Sequence, residues 1–333
     1  VLRRPPMNSF VQGANDMLRE AKVLNALSPV YPQVPECLFV GHDLNVWGVP
    51  FLIMEYRLGI TVKSTLPDHM RNKRFIGEQL TDELLNILIR LHSIDPSVVG
   101  LGDLGRTGDY FSRTAKGWLK RANAAWGDSQ SVALAKIEKW LSERIPKEGC
   151  PVILHNDFKL DNIILEPTNL QPKALIDWDL GTRGDAMWDF AVLLSYWAQE
   201  DDPLAMLSLQ QMPTLEPGFP KRDELIAQYA ERTKTKTLDI LPYKVQAEDK
   251  IDREAAMAAG ETSGPSQGKQ VVSSSAARNK ASNDKEESEV EELTPLVQEA
   301  DPEFEKLLDE EEQIAKLTNS KNQTPIFRPG EAD

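Results

Sequence analysis

One stretch constrains the fold more than any other. Between Pro151 and Asp179, short apolar runs alternate with polar connections at fixed intervals. Val152-Ile153-Leu154 leads into His155-Asn156-Asp157-Phe158-Lys159-Leu160-Asp161-Asn162, and Ile163-Ile164-Leu165 follows. A third run, Lys173–Asp177 (KALID), ends on an acid and continues as Trp178-Asp179. Apolar runs of this length, bounded by turn formers, read as strands. The sequence therefore demands a polar loop held between two strands, with a further carboxylate where the next strand stops. Asp and Asn are common in turns, so a lone Asp-x4-Asn means little. Turn preference does not account for His155, Asp157, Asn162, two flanking strands and Asp177 together.

The interval Asp157-x4-Asn162 equals that between the catalytic Asp and the metal-binding Asn of a kinase catalytic loop. Phosphoryl transfer needs a hydroxyl in line with the γ-phosphate and a group to take its proton, a role for Asp157. It also needs Mg²⁺, which selects hard oxygen ligands. Asn162 offers an amide oxygen and Asp177 a carboxylate, and Asp179 can reach a second ion. His155 reads as an orienting group for the loop. Lys159 either neutralises the transferring group or is solvated. Asp189, in Gly184-Asp185-Ala186-Met187-Trp188-Asp189, reads as a support for the loop's backbone amides.

Upstream the order is strand, helix, strand, strand. Val1–Arg4 reads as the end of a strand. Residues 16–27 have apolar positions at helical spacing. Cys37–Val40 and Pro50–Glu55 read as strands around a turn-prone stretch, residues 41–48. A kinase-like site needs a cation on the phosphates, held by a helix carboxylate. Arg3 with Glu20 supplies that pair, and Arg4 competes with Arg3 for the role. Met54-Glu55-Tyr56 falls where a hinge offers backbone groups to adenine, which makes Met54 and Tyr56 nucleotide-binding candidates. Downstream, helices are predicted over 81–93 with Thr81 as N-cap, and over 110–126, 131–144, 188–198 and 221–232.

These segments resemble the aminoglycoside phosphotransferase and choline kinase superfamily, in the branch also found fused to acyl-CoA dehydrogenases. The resemblance rests on VLRRPP, REAKVLNAL, PFLIMEY, RLHSIDPSVVGLGDLGR, HNDFKLDNIIL, ALIDWDLGTRGDAMWDFA and PGFPKRDELIAQYAERT, and covers about residues 1–233. It implies an α+β, bilobal, protein-kinase-like fold, with a small β-rich lobe over 1–56 and a larger helical lobe over 57–233. It also implies ATP and Mg²⁺ as cofactors and a small-molecule hydroxyl as acceptor, with a hydroxyacyl compound as one candidate. The family's opening strands and phosphate-covering loop would precede Val1, so on this reading the first lobe is truncated. The alternative is an impaired pseudo-kinase or scaffold that uses the fold for binding.

Charge adds little about the site. Of the net −14, 22 acids and 11 bases lie from Thr237 onward, leaving 30 and 27 in residues 1–236. The acidity belongs to the tail and argues against nucleic acid as partner. Residues 234–333 read as a low-complexity, largely disordered tail, with a short helix at 301–317 that could dock a protein partner. No run is long and apolar enough for a membrane span. Two cysteines, Cys37 and Cys150, do not make a disulfide framework, and a cytoplasmic, reducing location is expected.

Overall fold

The computed structural model describes residues 1–5, 16–71, 73, 75–106, 108–117, 132–204, 207, 210–235 and 240–247. The expected helix at 301–317 and the bulk of the tail lie outside them.

The first lobe is built on a three-stranded antiparallel sheet. Its strands are β1 (Leu2–Arg3), β2 (Cys37–Gly41) and β3 (Phe51–Met54), in the order β1-β3-β2. Leu2 pairs with Ile53 and Arg3 with Leu52, which fixes Arg3 in the sheet. Helix α1 (Met17–Leu27) begins at Asp16, whose carboxylate accepts from the backbone N–H groups of Leu18 and Arg19. This N-cap satisfies two of the four amides that every helix start leaves open. Met17, Ala21, Val23, Leu24 and Leu27 form its buried face, and Glu20 is buried with them. The stretch expected as a turn, 41–48, contains a short helix, α2 (Leu44–Trp47), capped by Asp43 and closed by Gly48 in the left-handed region.

The second lobe contains α3 (Asp68–Arg71), α4 (Ile76–His92), a helix over 110–117, α5 (Val132–Glu143), α6 (Ala186–Tyr196) and α7 (Arg222–Thr233). Two small two-stranded antiparallel sheets carry the polar loop: β4 (Val152–Leu154) with β7 (Thr182–Gly184), and β5 (Ile163–Leu165) with β6 (Pro172–Leu175). The strands on either side of the loop thus belong to different sheets. The short β7 escaped the sequence reading, since Thr-Arg-Gly carries no apolar signal. Strand β6 ends at Leu175, and Asp177 stands beyond it with φ 69°.

Helix α4 starts five residues before Thr81, so that residue is not the N-cap. Thr81 is buried, and its hydroxyl donates to the Gly77 carbonyl at 2.7 Å. Ile76, Leu80, Leu84, Leu88 and Leu91 extend one apolar face back through the Thr-Asp-Glu signal. Helix α6 is buried from Trp188 to Tyr196 and stacks Phe190 on Tyr229 of α7, with ring centroids 3.9 Å apart. Folded structure also continues past residue 233, where the sequence reading ended the second lobe. Residues 241–247 are helical, Tyr243 packs edge-on against Phe111 at 5.2 Å, and the Gln246 side chain donates to the Phe111 carbonyl. Polar neighbours had hidden these few apolar side chains.

Candidate active site

The loop after β4 is shaped by its supports. Asn156 takes φ 69°, a conformation that Asn tolerates better than most residues. The buried carboxylate of Asp189, in the first turn of α6, accepts from the backbone N–H of His155 at 2.7 Å and of Asn156 at 2.8 Å. His92 Nε2 lies 3.3 Å from the same carboxylate. The Asn156 side chain accepts from the Tyr110 hydroxyl and donates to the Leu180 carbonyl.

His155 is fully buried and supports the loop from within. The Asp157 backbone N–H donates to His155 Nδ1 at 3.3 Å, and His155 Nε2 lies 2.8 Å from the Ile176 carbonyl. Together these contacts select the neutral tautomer with its proton on Nε2. His155 therefore couples the loop to the strand end that carries Asp177.

Asp157 lies at the centre of one cluster. Its Oδ2 accepts from Asn162 Nδ2 at 3.0 Å and is 3.3 Å from Lys159 Nζ, while its Oδ1 accepts from the Tyr196 hydroxyl at 2.7 Å. Asn162 Nδ2 also donates to the Asp157 carbonyl at 2.7 Å. With that nitrogen engaged twice, the acceptor end of Asn162 is its Oδ1. Lys159 is not solvated. Its side chain is 14% exposed, its Nζ donates to Gln211 Oε1 at 3.1 Å, and it sits 4.7 Å from the centroid of the Tyr196 ring.

A second cluster joins the two lobes. Arg3 Nε pairs with Glu20 Oε2 at 2.9 Å, Arg3 Nη2 meets Asp177 Oδ1, and Asp179 Oδ2 lies 4.0 Å away. The forked guanidinium makes this bridge possible, since one end faces the helix and the other the opposite lobe. Burial pushes the Glu20 carboxyl up to about 7; Arg3 opposes the shift, and Asp177 and Asp179 add to it. Arg4 instead turns to the carbonyl of Pro5. Asn162 and Asp177 are linked through the chain, because the Ile176 N–H donates to the Asn162 carbonyl at 2.9 Å.

Met54 and Tyr56 stand apart from both clusters. The Met54 carbonyl accepts from the Val1 nitrogen at 2.7 Å, and the Met54 N–H donates to the Val1 carbonyl at 2.8 Å. Tyr56 is exposed in the segment between the lobes. Among the described residues, no three His, Cys, Asp or Glu side chains converge on a metal position. The carboxylates of Asp177 and Asp179 both face Arg3 Nη2.

Several participants are absent from the sequence expectations. Tyr196, Gln211 and Met212 reach the loop from 39 to 52 residues downstream. Met212 accepts the Leu160 N–H on its sulfur at 3.4 Å. Only Tyr196 had a readable signal, since it follows Asp189 by seven residues and so shares its helix face.

Known proteins agree with this architecture. A mouse protein named acyl-CoA dehydrogenase family member 10 is 30% identical over 232 residues, covering 69% of this chain and 21% of the relative. The human acyl-CoA dehydrogenase family member 11 is 29% identical over 233 residues, covering 69% of this chain and 29% of that protein. The chain thus spans under a third of the length of these relatives. A Ralstonia eutropha structure, provisionally assigned as an aminoglycoside phosphotransferase, superposes with a TM-score of 0.62 and 26% identity, covering 74% of this chain and 76% of the other. A thermostable mutant of aminoglycoside phosphotransferase APH(4)-Ia, solved with AMP-PNP and hygromycin B, shares the fold at a TM-score of 0.51 and 15% identity, over 75% of this chain and 79% of its own. The phosphotransferase enzyme family matches residues 1–225, and the chain belongs to that family, with its kinase-like fold.

Proposed function

We propose that the chain transfers the γ-phosphoryl group of ATP to a hydroxyl of a small molecule, with Mg²⁺ as the resident cation. The observation that carries this reading is a pair of clusters tied together through the backbone of Ile176: Asp157 with Asn162, and Arg3 with Glu20 and Asp177. Asp157 is the base. It accepts the proton of the acceptor hydroxyl as that oxygen bonds to the γ-phosphorus. The bond from phosphorus to the bridging oxygen breaks, and its electron pair leaves with ADP. Lys159, held beside Asp157, offsets charge on the moving group, and Arg3, anchored by Glu20, binds the non-transferring phosphates.

The donor set fits Mg²⁺. Asn162 Oδ1, Asp177 and Asp179 form a partial set of hard oxygens, suited to an ion that keeps phosphate and water ligands. When bound, the ion neutralises phosphate charge. The exposed segment around Tyr56 borders the adenine position. For the acceptor, the family supports a small hydroxylated molecule. Because the matching relatives are named acyl-CoA dehydrogenase family members, a hydroxyacyl compound is one acceptor to test.

The test is ADP release and product phosphorylation over a panel of hydroxyacyl thioesters, hydroxy acids and aminoglycosides. Wild type should phosphorylate at least one class, and Asp157→Asn should lower that rate by about 10²–10⁴-fold. A wild type that binds Mg·ATP but modifies nothing on the panel would favour a binding or scaffold role.

A further inference from the structure

Helix α6 touches the loop twice. Asp189 in its first turn grips the backbone of His155 and Asn156, and Tyr196 at its end donates to Asp157 Oδ1 at 2.7 Å. Residues seven apart lie two turns along the same helix face. One face of one helix therefore fixes the loop's backbone and the carboxylate it presents.

Packing alone does not explain Tyr196. Its neighbours on α6 are Phe190, Ala191, Val192, Leu193 and Leu194, all buried, and Tyr196 itself is only 4% exposed. A phenylalanine would fill that space without a hydroxyl to satisfy. Instead the phenol reaches a carboxylate whose other oxygen is already held by Asn162 and Lys159. The same ring lies 4.7 Å from Lys159 Nζ, whose remaining contact is Gln211. A single side chain thus limits rotation of the base through its hydroxyl and seats the neighbouring cation against its ring.

We propose that Tyr196 is a positioning residue for phosphoryl transfer, orienting Asp157 and Lys159 without touching ATP. The inference rests on Asp157 being the base. A base held at an unproductive angle loses rate, not nucleotide affinity.

The experiment measures ATP hydrolysis with water as acceptor, the dissociation constant for Mg·ATP, and thermal stability. It compares wild type with Tyr196→Phe, Tyr196→Leu and Asp157→Asn. Tyr196→Phe keeps the ring and should lower turnover ~10- to 100-fold, the scale of one lost hydrogen bond to a charged group, with Mg·ATP affinity unchanged and the fold intact. Tyr196→Leu should fall further, because Lys159 then loses its ring as well. If the leucine variant does not fold, the phenylalanine variant still decides. Wild-type turnover in Tyr196→Phe overturns the inference. A parallel loss of turnover, nucleotide affinity and stability also overturns it, by reducing Tyr196 to a packing residue. If Asp157→Asn hydrolyses ATP at the wild-type rate, the assignment of the base fails instead.

Discussion

Glu20 is a carboxylate with no water contact, one cation beside it, and two further acids across the lobe junction. Its carboxyl titrates near 7 in the fold against 4.5 in the open chain, mainly because burial penalises the charge. The native state therefore holds a proton that the unfolded state has released between those two values. That contribution is full below about pH 4.5 and is lost as pH rises through about 7. Relative to Glu20→Gln, wild-type stability should decline across this window and level off above it, as read by urea unfolding at each pH. The Arg3–Glu20 pair was legible because strand and helix patterns surround each residue. Its reach to Asp177 was not, since contacts between lobes leave no trace in local spacing. Asp157 and Asn162 were legible for the converse reason: five residues of chain fix their separation. Tyr196 and Gln211, which complete that cluster, arrive from a distant helix and segment.

Helices and strands were read well where one apolar face dominated, as in α1 and α7. The misread start of α4 has a local cause. Gly77, inside the first turn, lies so close to the chain at Gly218 that an added Cβ would fall 2.3 Å from the Gly218 carbonyl carbon. Gly218 itself has φ 94°, a conformation reserved for glycine. Helix propensity favours alanine over glycine by about 1 kcal/mol, yet here the neighbour is main chain and cannot swing aside. Gly77→Ala should destabilise the protein by roughly 1–3 kcal/mol, seen as a lower urea midpoint at constant slope. A gain in stability would mean that the two segments separate easily. Sequence periodicity is blind to such a contact, because it records which face is apolar and not how near another backbone comes.

Across the whole molecule, the lobes are joined by the Arg3–Asp177 contact and by the Leu175 backbone N–H, which donates to the Gln33 carbonyl at 2.7 Å. A ligand that binds between the lobes stabilises both. Mg·ATP at 100 times its dissociation constant should add about 2.7 kcal/mol, a rise in Tm of about 5–11 °C at roughly 2–4 °C per kcal/mol. The shift should require Mg²⁺ and vanish in Asp177→Ala. A shift of equal size without the metal would remove Asp177 from the proposed ion site. The two-lobe plan was readable in outline because the strands gather in residues 1–56 and the long helices follow. The end of the second lobe was not, because only a short run of buried side chains at 240–247 distinguishes folded chain from tail.

Helix α6 behaves, in machinist's terms, as a single jig. Asp189 and Tyr196 are two stops on one bar, and the bar is seated from behind by the Phe190–Tyr229 stack. An error in seating is common to both stops. It carries loop and carboxylate together and preserves their mutual geometry while shifting both against the first lobe. Wear at the back of the bar therefore leaves the tool intact and spoils only its alignment with the work.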